Sequence, residues 1–211
     1  MTETSPARRG RPRGTSARTL ELIALRLFTD QGFHETTVDQ IAAAAGVSRR
    51  TFFRYFDAKS EVLWSEFDSE VTAIRAMLAE TPDLPVMEAV RQAIIAVNHY
   101  RAADVDELRM RMYLISTVPE LAASATVHYD AWERAVAEYV ARRADQPADS
   151  LYPLAAGRAT LAACRAAYER WSARADADLT VYLDAALRGL AAGFGDSTIG
   201  AEPDLSGSTT R

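Results

Sequence analysis

Apolar residues recur along most of the chain at the three-to-four-residue spacing of amphipathic helices. In the first such segment, Leu20, Ile23 and Leu27 would share one helical face with Phe28. The same spacing returns after each polar or Gly/Pro break, which predicts an all-α fold of about nine helices. They are expected at about residues 17–31, in two short segments within 37–56, and at about 58–80, 86–102, 105–117, 121–143, 151–173 and 179–194.

Composition and charge divide the chain into four regions. Residues 1–16 are rich in Pro, Gly, Ser and Arg without apolar periodicity, so this basic arm is expected to be disordered in isolation. Residues 17–62 hold the first three helices, residues 63–194 form a helical body, and 195–211 form a polar, disordered tail. Up to Phe56 there are nine arginines against five acidic residues, whereas the whole chain carries a net charge of −5. A basic head on an acidic body would turn one end toward a polyanion.

The segment TVDQIAAAAGVSRRTFFRYF, residues 37–56, has the pattern of two short helices joined by a tight turn. Thr37 and Gln40 fit a capping box at the start of the first helix. Gly46 can adopt the left-handed conformation that ends it. Ser48 can then cap the second helix, so local signals mark both helix starts and the turn.

The second helix of this segment would have one apolar and one DNA-compatible face. Its apolar side chains are Val47, Phe52 and Phe56. Its other face carries groups that bond to phosphates and base edges, namely Arg49, Arg50, Thr51, Arg54 and Tyr55. This is the pattern of a helix-turn-helix, with Ser48 at its start. The alternative is a helical hairpin with a solvated charged face.

Further cations flank the helix-turn-helix. In the arm, RRGRPR could lie in a minor groove through Arg11 and Arg13, or could be only a solubilising tail. Lys59 falls in the first turn of the predicted fourth helix, where the helix dipole disfavours a cation. It would be better placed facing a DNA phosphate than as an ordinary solvated lysine.

Composition argues against a secreted protein, a membrane protein and an enzyme. The 211 residues are 48% apolar and 25% charged, as in soluble globular chains. Cys164 is the single cysteine, and no apolar run approaches the roughly 18 residues of a membrane span, so a reducing cytoplasm is expected. His34, His99 and His128 fall in different predicted elements, so we expect no catalytic site, metal or cofactor.

The body could hold a pocket between its helices and a surface for a second copy. Soft apolar and polar-tipped side chains are the candidates for an effector site, although each could simply belong to the core: Asn98, Arg109, Met112, Tyr113, His128, Trp132 and Tyr168. Arg101, Arg109 and Arg111 could serve phosphates at its mouth or be solvated. The Ala- and Gly-rich helices at about 151–173 and 179–194 suit a homodimer interface, or could only close the monomer core.

An RGRPR arm, a first helix and TTVDQIAAAAGVSRRTFFRYFDAKSEVL together resemble the DNA-binding domain of the TetR family of transcriptional regulators. The resemblance covers residues 17–63. Within the family, four stretches are similar to the regulators found with mycofactocin biosynthesis genes in actinobacteria: RTFFRYFDAKSEVLW, RMRMYLISTVPELAAS, YDAWERAVAEYVARR and AAYERWSARADADLT.

The resemblance implies a dimeric, ligand-responsive repressor that leaves a palindromic operator when a small effector binds, with long-chain acyl-CoA a leading candidate. It implies that Thr37 bonds a phosphate, that Arg49, Arg50 and Thr51 face the major groove, and that Tyr55 and Lys59 hold the backbone. Many members have tyrosine where this chain has Phe53, so that phosphate contact is missing, and Arg54 could supply one instead. An effector-independent DNA-binding protein and a helical small-molecule carrier remain alternatives.

Overall fold

The computed structural model describes residues 15–80, 84–99, 104–174 and 176–193. Within these ranges the chain forms nine α-helices and no strand, which confirms the predicted all-α class. The helices are α1 (Ala17–Gln31), α2 (Val38–Ala44), α3 (Arg49–Phe52), α4 (Ser65–Ala79), α5 (Val86–Val97), α6 (Val105–Thr117), α7 (Pro119–Ala144), α8 (Leu151–Arg174) and α9 (Leu179–Ala191). None of these helices combines the length and the apolar character needed to span a bilayer.

The chain divides into two compact units between Val62 and Leu63. In the N-terminal unit, α1 packs on α2 and α2 packs on α3. Phe28 and Phe52 are almost fully buried there, because α1 and α3 each turn their aromatic residue inward. The loop after α1 returns through Phe33, whose ring centroid lies 5.0 Å from that of Phe28.

In the C-terminal unit, α7 and α8 form a central pair, and α4, α5, α6 and α9 each pack on one or both of them. Trp132, Val136, Leu161 and Leu183 belong to its main core cluster. Gly157 allows a close approach of α8 to α7, because a Cβ at that position would lie only 2.5 Å from the carbonyl oxygen of Glu133.

The predicted start of the fourth helix at Ala58 is wrong. A 3₁₀ turn covers Ser60–Leu63, and α4 begins only at Ser65. Val62, Leu63 and Trp64 are all buried, and three consecutive side chains cannot lie on one face of an α-helix. The chain therefore tightens before α4, and Lys59 does not lie in that helix.

Three other boundaries also differ from the predictions. α5 ends at Val97 rather than 102, because the backbone N–H of Asn98 bonds to the carbonyls of Ile94 and Ile95 and closes the helix. α7 begins at Pro119, ahead of the predicted start near residue 121. α9 ends at Ala191, short of residue 194. Residues 1–14 and 194–211, which include most of the predicted arm and tail, lie outside the described residues.

Candidate nucleic-acid interface and effector cavity

Hydrogen bonds at the helix ends fix the turn between α2 and α3. Thr37 and Gln40 form the predicted capping box: the Thr37 hydroxyl accepts from the Gln40 amide at 3.2 Å, and the Gln40 side chain accepts from the Thr37 amide at 2.7 Å. Gly46 has φ +67°, and the next amide, that of Val47, bonds back to Ala42 at 2.9 Å. This Schellman end explains why glycine is needed at the turn.

The helix after the turn displays its cations because its apolar residues anchor it. The Ser48 hydroxyl accepts from the Thr51 amide at 3.1 Å and begins α3. Phe52 and Phe56 are buried, with ring centroids 5.5 Å apart. Arg49, Arg50 and Arg54 are exposed on the other side, and Thr51 is half-buried. The structure thus brings the predicted DNA-facing residues onto one exposed surface of the N-terminal unit.

Arg49 has two neighbours on this surface that restrict it. Its guanidinium bonds to the carboxylate of Asp39 at 2.9 Å and lies 5.3 Å from the centroid of the exposed Phe53 ring. Both members of the ion pair are more than half exposed, so water screens the attraction and the pair can open. Sequence reasoning missed Asp39, because a contact between residues ten positions apart across a turn leaves no helical spacing.

Tyr55 and Lys59, which were predicted to contact the DNA backbone, each donate a hydrogen bond within the protein. The Tyr55 hydroxyl donates to the carbonyl of Thr15 at 2.6 Å, and Arg54 stacks on the Tyr55 ring. The ammonium of Lys59 donates to the carbonyls of Phe33 and Thr36 at 2.6 and 2.9 Å. Lys59 therefore ties the loop after α1 to the end of the N-terminal unit, and a phosphate contact from it stays a prediction. Arg11 and Arg13 lie outside the described residues.

The C-terminal unit encloses a cavity of about 1230 Å³. Six of the seven predicted effector residues line it: Asn98, Arg109, Met112, Tyr113, Trp132 and Tyr168. Sequence reasoning missed other lining residues, which include Trp64, Phe67 and Arg165. Large aromatic side chains such as those of Trp64 and Phe67 suit a packed core equally well, so the sequence alone does not mark them as cavity residues.

His128 is not among the lining residues and instead packs against the side chain of Trp64, which does line the cavity. Its ring stacks on the Trp64 indole with centroids 4.6 Å apart, and its Nδ1 lies 2.8 Å from a carboxylate oxygen of Asp68. The Trp64 indole N–H donates to the Ser124 hydroxyl at 2.9 Å. Two residues of α7 thus hold the first aromatic side chain of the cavity wall in place.

The arginines of α6 have different surroundings. Arg109 is exposed and donates to the carbonyl of Ser172 at 3.1 Å, which bridges α6 and α8 at the cavity's open side. Arg111 is buried and bonds to the carboxylates of Glu66 and Glu107. Arg111 is therefore a charge-paired part of the buried wall, and neither predicted alternative, a place at the mouth or a solvated face, is correct for it. Arg101 lies outside the described residues.

The buried part of the cavity wall carries a small set of uncharged polar groups. The Tyr168 hydroxyl donates to the side-chain oxygen of Asn98, whose Nδ2 donates to the carbonyl of Ile94 at 2.9 Å. Burial raises the pKa of the Cys164 thiol to about 12, so the thiol is protonated at neutral pH. Burial likewise raises the pKa of Tyr129, whose ring lies 5.1 Å from the Arg165 guanidinium. Among the described residues, no cluster of His, Cys, Asp and Glu is arranged to hold a metal ion.

Comparison with known proteins identifies the class. Residues 23–64 match the family of bacterial regulatory proteins, tetR family, and residues 84–195 match the MftR C-terminal domain. The chain therefore belongs to the TetR family of helix-turn-helix transcriptional regulators, with a body of the MftR type.

Individual relatives agree with this assignment. The chain is 32% identical over 189 residues to MftR of Mycobacterium tuberculosis, named as a candidate regulator of mycofactocin biosynthesis, covering 89% of this chain and 96% of that protein. It is 31% identical over 192 residues to the regulator TcmR of Streptomyces glaucescens, covering 83% and 85%. This similarity confirms the predicted resemblance to mycofactocin-system regulators.

Solved structures share the fold. FadR of Thermus thermophilus, a TetR-family repressor in complex with lauroyl-CoA, superposes with a TM-score of 0.55 at 24% identity and covers 85% of this chain and 95% of that one. The fatty acid degradation regulator FadR of Bacillus halodurans superposes with a TM-score of 0.62 at 20% identity and covers 84% and 99%.

Proposed function

We propose that this chain is an effector-responsive repressor. A homodimer binds a palindromic operator through the two copies of α3, and a small hydrophobic or acyl-CoA-like molecule in the body releases it. The observation that carries this proposal is the presence, in one TetR-family chain, of a capped helix with exposed arginines and a largely apolar cavity of about 1230 Å³.

At the DNA, each group has a role set by its chemistry. Arg49 and Arg50 can reach guanine edges or phosphates in the major groove, where a bidentate arginine contact discriminates by about 1–3 kcal/mol. The hydroxyls of Thr37 and Thr51, together with Ser48, lie at helix starts, where they can bond backbone phosphates. Arg11 and Arg13 of the arm would enter the adjacent minor groove.

Long-chain acyl-CoA is the leading effector candidate. The lauroyl-CoA complex of the structurally similar FadR supports an acyl thioester as ligand. The cavity exceeds the roughly 300–1,000 Å³ of ordinary ligand sites, so it has room for a long acyl chain. The exposed Arg109 and Arg165 at the open side could bond the phosphates of the head group.

The dimer would form through α8 and α9. Leu151 and Tyr152 at the start of α8 are 85% and 55% exposed, and the exposed Ala155 and Ala162 continue along that helix. Such large apolar groups beside small residues suit close helix packing between two copies. Two recognition helices about 34–36 Å apart would then fit successive major grooves.

Release would be a shift between two dimer states. Trp64 and Phe67 line the cavity at the start of α4, so an effector that contacts them can favour a state in which α4 moves and the spacing of the recognition helices changes. A coupling free energy of about 1–3 kcal/mol would change operator affinity by roughly 5- to 150-fold.

Fluorescence anisotropy on DNA from the chain's own upstream region tests the proposal. Arg49→Ala with Arg50→Ala should weaken binding at least tenfold, whereas the matched control Arg134→Ala with Arg142→Ala, on exposed positions of the body, should not. Lauroyl- or palmitoyl-CoA at saturation should weaken wild-type binding at least fivefold. Unchanged operator affinity in the Arg49/Arg50 variant contradicts the DNA interface, and unchanged affinity with acyl-CoA contradicts that effector.

One relative supports a different direction of regulation. FasR of Mycolicibacterium smegmatis, 28% identical over 164 residues, is named a transcriptional activator. A reporter driven by the bound promoter separates the two directions: deletion of a repressor raises its output, and deletion of an activator lowers it. An effector-independent DNA-binding protein or a carrier is less favoured, because the chain has both the arginine face and the cavity.

A further inference from the structure

We infer that the effector buries an uncharged hydrogen-bonding group, a hydroxyl or a carbonyl, in the cavity, and that Asn98 and Tyr168 recognise it. This inference rests on the proposed function in one respect, that the cavity is the effector site. It concerns which ligands bind there, and it is independent of whether binding releases DNA.

Four of the six charged side chains of the cavity wall lie on its solvent side: Asp106, Arg109, Arg165 and Glu169 are all exposed. The other two are the half-buried Glu70 and the buried Arg111, which already bonds to two carboxylates, from α4 and from its own helix. An anionic group on the buried part of a ligand would therefore lose its water without gaining a counter-ion, which costs several kcal/mol. The wall thus favours an acidic ligand that keeps its charge at the solvent end.

Besides Arg111, the Cys164 thiol and the half-buried Tyr129, the buried part of the wall is apolar apart from one hydrogen-bonded polar pair. Trp132, Leu161 and Leu183 form its apolar surface and are at most 6% exposed. Asn98, which is 4% exposed, and the half-buried Tyr168 form the polar pair. A wholly apolar ligand would leave these polar groups facing hydrocarbon, where an unmet hydrogen bond costs about 1–3 kcal/mol.

Asn98 has hydrogen-bonding capacity beyond its described contacts. A side-chain amide offers two N–H donors and two acceptor sites. Here one donor bonds to the Ile94 carbonyl and one acceptor site takes the Tyr168 hydroxyl. The Asn98 amide therefore has one further donor and one further acceptor site. A ligand hydroxyl could bond to either site, and a ligand carbonyl could accept from the donor.

Ending α5 does not require this amide. The backbone N–H of Asn98 closes α5 by bonding to the carbonyls of Ile94 and Ile95, and most residue types could do the same. For a wholly apolar ligand, a leucine at this position would be more favourable than asparagine, because it has no polar group to desolvate. The competing explanation is that the Asn98–Tyr168 pair only joins the end of α5 to α8, and the experiment below separates the two.

The test compares three twelve-carbon acids of equal charge: dodecanoic, 3-hydroxydodecanoic and 12-hydroxydodecanoic acid. Binding is followed by tryptophan fluorescence of the full chain, because Trp64 and Trp132 both line the cavity. Wild type should bind at least one hydroxy acid about fivefold more tightly than dodecanoic acid, the size of one net hydrogen bond. Asn98→Leu should reduce that ratio below about twofold, because it removes the amide and keeps the backbone N–H that closes α5.

Tyr182→Phe is the control for loss of a structural hydrogen bond, since Tyr182 does not line the cavity and its hydroxyl donates to Asp176, and it should keep the wild-type ratio. A purely structural pair would lower the affinity for all three acids and leave the ratio unchanged. The inference is overturned if neither hydroxy acid is preferred, if none of the three acids binds, or if Asn98→Leu keeps the preference.

Operator anisotropy in the same samples separates this inference from the proposed function. A hydroxyl preference without DNA release supports the recognition pair and contradicts effector-controlled repression by these ligands. DNA release by acyl-CoA without any hydroxyl preference supports the proposed function and contradicts the recognition pair.

Discussion

The effect of Gly157→Ala on stability should show how tightly α8 packs on α7. In Gly157→Ala the new Cβ would lie 2.5 Å from the Glu133 carbonyl oxygen, 3.2 Å from its carbonyl carbon and 3.4 Å from the Cβ of Ala137. The nearest contact is with helix backbone, which cannot rotate away as a side chain can. The two helices must therefore separate locally.

The net effect of this substitution is a difference of two opposing terms. Overpacking a well-packed core costs about 1–3 kcal/mol, and a 2.5 Å approach to backbone belongs near the top of that range. Alanine gains about 1 kcal/mol over glycine within a helix. We therefore expect Gly157→Ala to lower the free energy of unfolding of the C-terminal unit by about 1–2 kcal/mol.

Urea unfolding followed by tryptophan fluorescence is a suitable assay, because Trp64, Trp132 and Trp171, all of the chain's tryptophans, belong to the C-terminal unit. Protein concentration is held constant, since dimerisation would add to the apparent stability. Ala123→Gly, at an exposed position of α7, calibrates the propensity difference and should cost about 1 kcal/mol. A Gly157→Ala variant as stable as wild type, or more stable, would refute the close contact.

Three further outcomes are expected. Asp39→Asn should tighten operator binding by about two- to fivefold, because it frees Arg49 from an exposed ion pair and removes a negative charge near the phosphates. Asp130→Asn, at an exposed position of the body, is the control. Equal effects of the two substitutions would contradict the role of Asp39 in restraining Arg49. Lys59→Met should lower the hydrogen-exchange protection of the N-terminal unit by about 1–3 kcal/mol, because the carbonyls of Phe33 and Thr36 lose a charged donor. Weaker DNA binding with unchanged protection would instead indicate that Lys59 contacts a phosphate. The Cys164 thiol, whose pKa is about 12, should react slowly with maleimide at pH 8 in the native state and faster as pH rises, and rapid labelling at pH 8 would contradict its burial.

Local signals were enough to predict the helix-turn-helix. Thr37 and Gln40 are three residues apart, and the Ser48 cap and the Gly46 turn depend on backbone geometry within one helical turn. Such short-range preferences act before any tertiary contact is made. The fold class and the arginine face therefore followed directly from the sequence.

Contacts between distant residues could not be predicted in the same way. The buried run Val62–Trp64 breaks helical spacing, and only the packing of Trp64 against α7 explains it. Arg111 looked like a free cation in the sequence, because its partner Glu66 is 45 positions away. Six cavity residues were predicted from the chemical character of their side chains alone. The same reasoning failed for His128, which stacks on Trp64 and does not line the cavity.

The proposed recognition helix, α3, has only four residues, Arg49–Phe52. A single turn of helix has almost no stability of its own. Its shape is supplied by Ser48 at one end and by the buried rings of Phe52 and Phe56. An engineer who wished to transplant the DNA preference of this chain into another regulator would therefore have to graft the whole stretch from Thr37 to Phe56, because the arginines alone would arrive without the frame that aims them.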